Sequence, residues 1–268
     1  MSETYVATGG QRIRVDVRPG TGVPLVLCNG IGVGLEVLEP LVARLDRDMT
    51  VIRFDVPGAG RSPASRLPYG FPYLAWVLGR MLDGLGYGAV DVLGVSWGGA
   101  LAQQFAVQNP RRCRRLVLAA TGTGALMVPA HPRVLAKMLT ARRLHDADYA
   151  ASVAGDLYGG TARGRGADAA AAIGRLSPAG SRIGYIHQLL AGAMWTSLFA
   201  LPLIRQRTLV IAGTDDPIVP TANAHILTRL IPHAELHLHP GGHVDLVTNA
   251  AQFAPVITHF LRTPGERA

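Results

Sequence analysis

The chain runs to 268 residues, 49% of them apolar and 16% charged, enough material for one globular core carrying an inserted subdomain. Its 26 Lys and Arg against 18 Asp and Glu give a formal charge of +8, yet no nucleic-acid module accompanies the arginines at 111–115, 142–143 and 163–165, so nucleic acid is excluded as an expected partner and these clusters read as a solvated face. Cys28 and Cys113 stand in no metal-ligand or Cys-x-x-Cys spacing and read as free thiols, and residues 1–20 lack the pattern of a signal peptide, which makes the cytoplasm the expected location.

Gln11–Arg18 alternates apolar and polar residues and predicts an edge strand. Residues 24–28 are continuously apolar, as in a strand buried on both faces, and lead into Asn29-Gly30-Ile31-Gly32-Val33-Gly34. That glycine-rich loop lacks the third glycine of a dinucleotide fingerprint, since position 35 is Leu35, and lacks the Gly-Lys-Ser/Thr of a phosphate loop. Its other reading is an oxyanion loop whose amide at Ile31 pairs with that of the residue after a nucleophile. Residues 35–45 have helical spacing, Met49–Phe54 is the next strand, and residues 72–85 are an amphipathic helix with proline in its first turn.

Val90–Val95 is a further buried strand, and it ends in Gly94-Val95-Ser96-Trp97-Gly98 before the helical stretch Trp97–Gln108. A serine between glycines at a sharp strand-to-helix turn is left exposed at the sheet edge, with the positive end of the helix dipole beside it. Residues 116–120 form another buried strand. From 122 to 206 the pattern is helical with glycine breaks, a lid inserted between core segments 1–121 and 207–268. Within it residues 189–204 carry no charge but are too short for a membrane span and are interrupted by Pro202, so Met194, Trp195 and Leu198 become candidate walls for an apolar acyl group. Residues 208–212 and Ala234–His239 are the last strands, with helices at 223–230 and 251–261. The alternation of strands and helices gives an α/β class with a mostly parallel sheet and helices on both faces.

Ser96, Asp216 and His243 each fall beyond the carboxyl end of a buried strand, in the order serine, acid, histidine. An alcohol needs a base near neutrality to lose its proton, and the acid holds the imidazole tautomer. Asp215 and Asp245 are rivals for the acid. Asn29, Gly30, Met194, Trp195 and Leu198 are the candidate substrate contacts, and Ile31 and Trp97 the candidate oxyanion donors. No metal or organic cofactor is expected. A serine at the elbow excludes a dehalogenase, which needs a carboxylate there.

The chain resembles the α/β-hydrolase superfamily and, within it, the intracellular medium-chain-length poly(3-hydroxyalkanoate) depolymerases. The matching residues are Asn29-Gly30-Ile31-Gly32, Phe54-Asp55-Val56-Pro57-Gly58, Gly94-Val95-Ser96-Trp97-Gly98 with the following Gly99-Ala100-Leu101-Ala102, Leu116-Val117-Leu118, Met127-Val128-Pro129, Tyr158-Gly159-Gly160 and Trp195-Thr196-Ser197. The resemblance implies the α/β-hydrolase fold, Ser96, Asp216 and His243 as nucleophile, acid and base, and an aliphatic polyester held in storage granules as substrate and partner. The lid around 161–172 departs from the pattern and bears on side-chain length. A carboxylesterase, a lactonase, a proline-iminopeptidase-like hydrolase or a non-enzymatic receptor on the same scaffold stays open at this stage.

Overall fold

The strands are β1 (Ser2–Thr8), β2 (Gln11–Arg18), β3 (Thr21–Cys28), β4 (Met49–Phe54), β5 (Val90–Val95), β6 (Cys113–Ala119), β7 (Arg207–Gly213) and β8 (Ala234–His239). They form one sheet in the order β1-β2-β4-β3-β5-β6-β7-β8 in a computed structural model that describes residues 2–139, 142–176 and 180–263. From β4 to β8 every pairing is parallel, while β1 with β2 and β2 with β4 are antiparallel. The chain leaves β3 toward β4 on one side and returns to β5 on the other, so the carboxyl ends of β3 and β5 diverge there and open the crevice where ligands of such sheets sit.

The helices are α1 (Glu39–Val42), α2 (Phe71–Gly84), α3 (Trp97–Gln108), α4 (Pro132–Met138), α5 (Arg142–His145), α6 (Ala147–Tyr158), α7 (Gly166–Leu176), α8 (Arg182–Ala193), α9 (Ala222–Leu230), α10 (Asp245–Thr248) and α11 (Ala250–Arg262). Alternate residues of the central strands point to opposite faces, and each face has its own core. Val26, Val92 and Leu118 pack with Phe71, Phe105 and Leu227 of α2, α3 and α9. Leu27, Leu93 and Val117 pack with Leu41, Phe253 and Ile257 of α1 and α11. That explains why these strands carry uninterrupted apolar runs. No helix among the described residues is long and apolar enough to cross a membrane.

Three expectations are corrected. β2 is not the edge strand: β1 pairs outside it, and Ile13, Arg14, Val15 and Asp16 are all buried. Buried charges there are matched, Arg53 with Asp16 at 2.6 Å and Arg14 with Glu36 at 2.6 Å and Asp55 at 3.3 Å. The stretch 35–45 is not one helix but a 3₁₀ turn, Leu35–Leu38, followed by the single-turn α1, because Pro40 has no N–H to continue the ladder and is tolerated only in a first turn. The arginine clusters are only in part a solvated face: Arg111, Arg114, Arg142, Arg163 and Arg165 are exposed, but Arg115 and Arg143 are buried. Arg114 pairs with Asp91, Arg112 with Asp83 and three backbone carbonyls, and Arg115 with the carbonyls of Leu261 and Thr263, so the 111–115 cluster ties β6 to its neighbours. Both cysteines are free and buried, and burial pushes their thiols well above the ordinary range.

The segment between β6 and β7 is helical, α4 to α8, with one isolated bridge between Gly124 and Thr196. Gly184 of α8 lies against Gly58 in the loop after β4, where a Cβ would meet the Gly58 backbone. The Tyr158 carbonyl accepts the His243 amide at 2.8 Å, so the segment also touches the loop after β8.

Candidate active site

β5 ends at Val95, and the turn into α3 places Ser96 at φ 54° and ψ −120°, a left-handed conformation that costs a non-glycine residue energy and persists only where its surroundings enforce it. Here the Ser96 amide donates to the Ala119 carbonyl at 2.9 Å, while its own carbonyl accepts from the Gly99 amide at 2.9 Å and the Thr121 hydroxyl at 2.7 Å. Gly98 lies directly on the end of β3, where a side chain would collide with the carbonyl oxygens of Cys28 and Asn29. The turn therefore fits only because Gly98, and Gly94 packed against it, have no side chains.

Ser96 Oγ stands 2.9 Å from His243 Nε2, and His243 Nδ1 stands 2.8 Å from Asp216 Oδ2. Asp216 is buried, and its other oxygen accepts the amides of Ile218 and Val219, both at 2.9 Å, which fixes the carboxyl group in the loop after β7. With Asp216 accepting at Nδ1, the imidazole hydrogen sits there and Nε2 is left to accept from the serine hydroxyl. An imidazole so held can take a hydroxyl proton and return it to a leaving group. The rival acids are otherwise engaged: Asp215 is paired with Arg163 at 2.6 Å, which holds its carboxyl below the usual range, and Asp245 accepts the Thr161 hydroxyl at 3.0 Å.

Gly30 faces the serine, a Cβ built on it lying 3.8 Å from that of Ser96. The amides of Ile31 and Trp97 donate to no acceptor among the described residues, and Trp97, as the first residue of α3, has no partner within its own helix. Two braces from α8 hold this corner, both from the buried Gln188. Its side-chain oxygen accepts the Gly32 amide at 2.9 Å, and its backbone carbonyl accepts Trp97 Nε1 at 2.8 Å. Gly32 has φ 76°, and a side chain there would run into Leu144 and Tyr185.

Two cavities meet at Ser96. The narrower, about 80 Å³, is lined by His243, Gly30, Ile31, Arg143, Leu144 and Ile173 among others. The wider, about 330 Å³, is lined by Ile31, Trp97, Phe71, Met127, Leu135 and Gly192 among others. The expected walls Met194, Trp195 and Leu198 line neither cavity. Met194 is 84% exposed, Trp195 packs on Phe71 and donates to Gln104 at 2.8 Å, and the Leu198 amide is tied to Thr196. Asn29 is turned back into its own loop, donating to the Gly34 carbonyl at 3.0 Å. Sequence reasoning missed Arg143, Leu144, Ile173 and Gln188. The one available signal was a neutral glutamine, Gln188, just before Leu189 and Leu190 in the carboxyl-terminal half of α8.

Comparison with known proteins agrees with this architecture. A family model for the alpha/beta hydrolase fold matches residues 23–250. The chain is 48% identical over 265 residues to the poly(3-hydroxyalkanoate) depolymerase of Ectopseudomonas oleovorans, covering 98% of this chain and 93% of that one. It is also 35% identical to part of polyketide synthase ThaQ of Burkholderia thailandensis, covering 97% of this chain but 13% of that protein. Among solved structures, the enol-lactonase of Burkholderia xenovorans LB400 superposes with a TM-score of 0.84 at 24% identity, over 97% of this chain and 100% of that one, and shares the fold. By its sheet order, by the residues that the family model spans and by its nearly full-length likeness to a poly(3-hydroxyalkanoate) depolymerase, the chain belongs to the alpha/beta hydrolase fold family.

Proposed function

We propose that the protein is a serine esterase acting on aliphatic poly(3-hydroxyalkanoate) or its oligomers. The observation that carries this reading is the unbroken line from Asp216 through His243 to Ser96, at 2.8 and 2.9 Å, at the mouth of two mainly apolar cavities. His243 Nε2 takes the Ser96 proton as Oγ attacks the ester carbonyl, and the amides of Ile31 and Trp97 receive the developing oxyanion. The alcohol leaves with the proton from His243, and water, deprotonated by the same nitrogen, releases the acid from Ser96. Residues 122–206 serve as the lid over these cavities. The 48% identity to a poly(3-hydroxyalkanoate) depolymerase supports the polyester as substrate.

A granule surface in the cytoplasm is the proposed partner. Ile183, Ile186 and Leu190 recur at helical spacing along α8 and are exposed, as are Leu139 and Phe199 of the same segment, which suits contact with a solid apolar polymer. The test is release of 3-hydroxyalkanoic acids from amorphous medium-chain polyester particles, run beside soluble p-nitrophenyl octanoate. Wild-type protein is expected to act on both, and Ser96→Ala to lose activity on both by roughly 10⁴-fold or more with the fold intact. Activity on the soluble ester alone would leave a general carboxylesterase or lactonase in place of a depolymerase.

A further inference from the structure

His243 lines the narrow cavity at Ser96, and among the described residues it is not part of the wider one. In the reaction proposed above, on which this inference rests, the leaving alcohol takes its proton from His243 Nε2. The leaving group therefore lies in the narrow cavity, and the acyl chain extends into the wider one beside Trp97 and Phe71.

The narrow cavity is lined mainly by apolar side chains, such as Leu38, Leu144, Ile173 and Val247, yet one of its lining residues is a buried arginine, Arg143 on α5. Arg143 Nη1 donates to the Tyr185 hydroxyl at 2.7 Å, and that hydroxyl in turn donates to the Met138 carbonyl at 2.6 Å. Burial opposes the charge on Arg143, but Tyr158 and Tyr185 around it hold its pKa above the ordinary value. Burial pushes the Tyr158 hydroxyl above its ordinary range, against the pull of Arg143. A guanidinium offers five N–H donors in a planar fork whose geometry matches a carboxylate, and in an apolar cavity such a pairing counts for far more than it does in water.

A hydroxy-acid polyester has one carboxylate, at its end. We infer that the narrow cavity is a subsite for that terminal unit, with its carboxylate received by Arg143, so that the enzyme removes hydroxy acids singly from the carboxyl end of the chain. In that step the ester C–O bond next to the last unit breaks and the acyl carbon joins Ser96 Oγ. The departing oxygen takes the proton from His243, and the unit leaves as a free 3-hydroxy acid. Water then releases the shortened chain with a new terminal carboxylate, ready for the next round.

The test uses the whole enzyme and a 3-hydroxyoctanoate dimer in two forms, free acid and methyl ester, scored by cleavage of the bond between the units, with p-nitrophenyl octanoate alongside. The free acid is expected to be cut with kcat/KM about tenfold or more above the methyl ester, chiefly through KM. Arg143→Met is expected to bring this ratio close to one, and Arg143→Lys to leave an intermediate value. Because each ratio is taken within one preparation, partial loss of folded protein cancels. If Arg143→Met fails to fold, the wild-type ratio and Arg143→Lys decide. Equal kcat/KM for the two dimers in the wild type, or an undiminished preference in the Met or Lys variant, overturns the subsite. A wild type that cleaves neither dimer nor the p-nitrophenyl ester fails the esterase reading itself, and the subsite falls with it.

Discussion

Ser96 and His239 show how differently single residues at strand ends are constrained. Ser96 is held at a positive φ so that its hydroxyl faces out of the sheet toward His243, whereas His239 is folded inward at the end of β8. Its ring lies edge-on to Phe253 at 4.7 Å, and its Nδ1 accepts the Gly241 amide at 3.1 Å. Burial holds its pKa below the ordinary 6.5; Asp245 and Asp216 oppose that shift and His237 adds to it. A histidine with a depressed folded pKa contributes stability that is fully present above 6.5 and is lost as pH falls through the folded value. Thermal midpoints are therefore expected to drop on acidification from pH 7.5 to 5, and His239→Asn to drop less; equal slopes for the two proteins would remove His239 from the account.

At this scale the sequence set Ser96, Asp216 and His243 at strand ends in glycine- or proline-marked turns, and the structure brings the three within hydrogen-bond reach of one another. Arg143 was not legible, since an arginine in an arginine pair reads as surface until Tyr158 and Tyr185 are seen to enclose it.

Among the elements, β5 and α3 depend on each other's missing side chains. Gly98→Ala would drive a methyl group into the end of β3, where the carbonyls of Cys28 and Asn29 cannot retreat without breaking strand pairing. A loss of about 1–3 kcal/mol or more is expected in urea unfolding, as for other overpacked sites; a variant as stable as the wild type would mean that the end of β3 yields. α3 and β8 fall where the pattern puts them, because apolar spacing of the right period runs the length of each. β1 was missed because its seven residues, Ser-Glu-Thr-Tyr-Val-Ala-Thr, carry little apolar signal, and its place is set by antiparallel pairing with β2. The break at 35–45 follows from Pro40, and Asp55 helps to hold it, accepting the Leu35 amide at 2.6 Å.

Over the whole molecule, the helical segment between β6 and β7 has two opposed surfaces. Inward it supplies Arg143, Leu144 and Ile173 to the narrow cavity; outward it exposes Ile183, Ile186 and Leu190. Replacing those three by serine is expected to weaken sedimentation with polyester particles several-fold while hydrolysis of p-nitrophenyl octanoate changes little; equal losses in both assays would argue against a docking face. The helical character of the segment could be read from the absence of buried strands between 122 and 206, where α4 to α8 lie. The facing of its side chains could not, because the charge-free run at 189–204 turns Met194 and Phe199 outward, and apolarity alone does not say which way a side chain points.

Gln188 gives that segment one more property. Because it grips Gly32 on one side and Trp97 on the other, the segment is wired to the turn that carries Ser96. A chimaera that kept this core and borrowed its insertion from a distant relative would inherit serine, histidine and aspartate intact, yet find the two neighbouring amides without their brace. Modular exchange between such proteins has a seam, and in this chain the seam runs through Gln188.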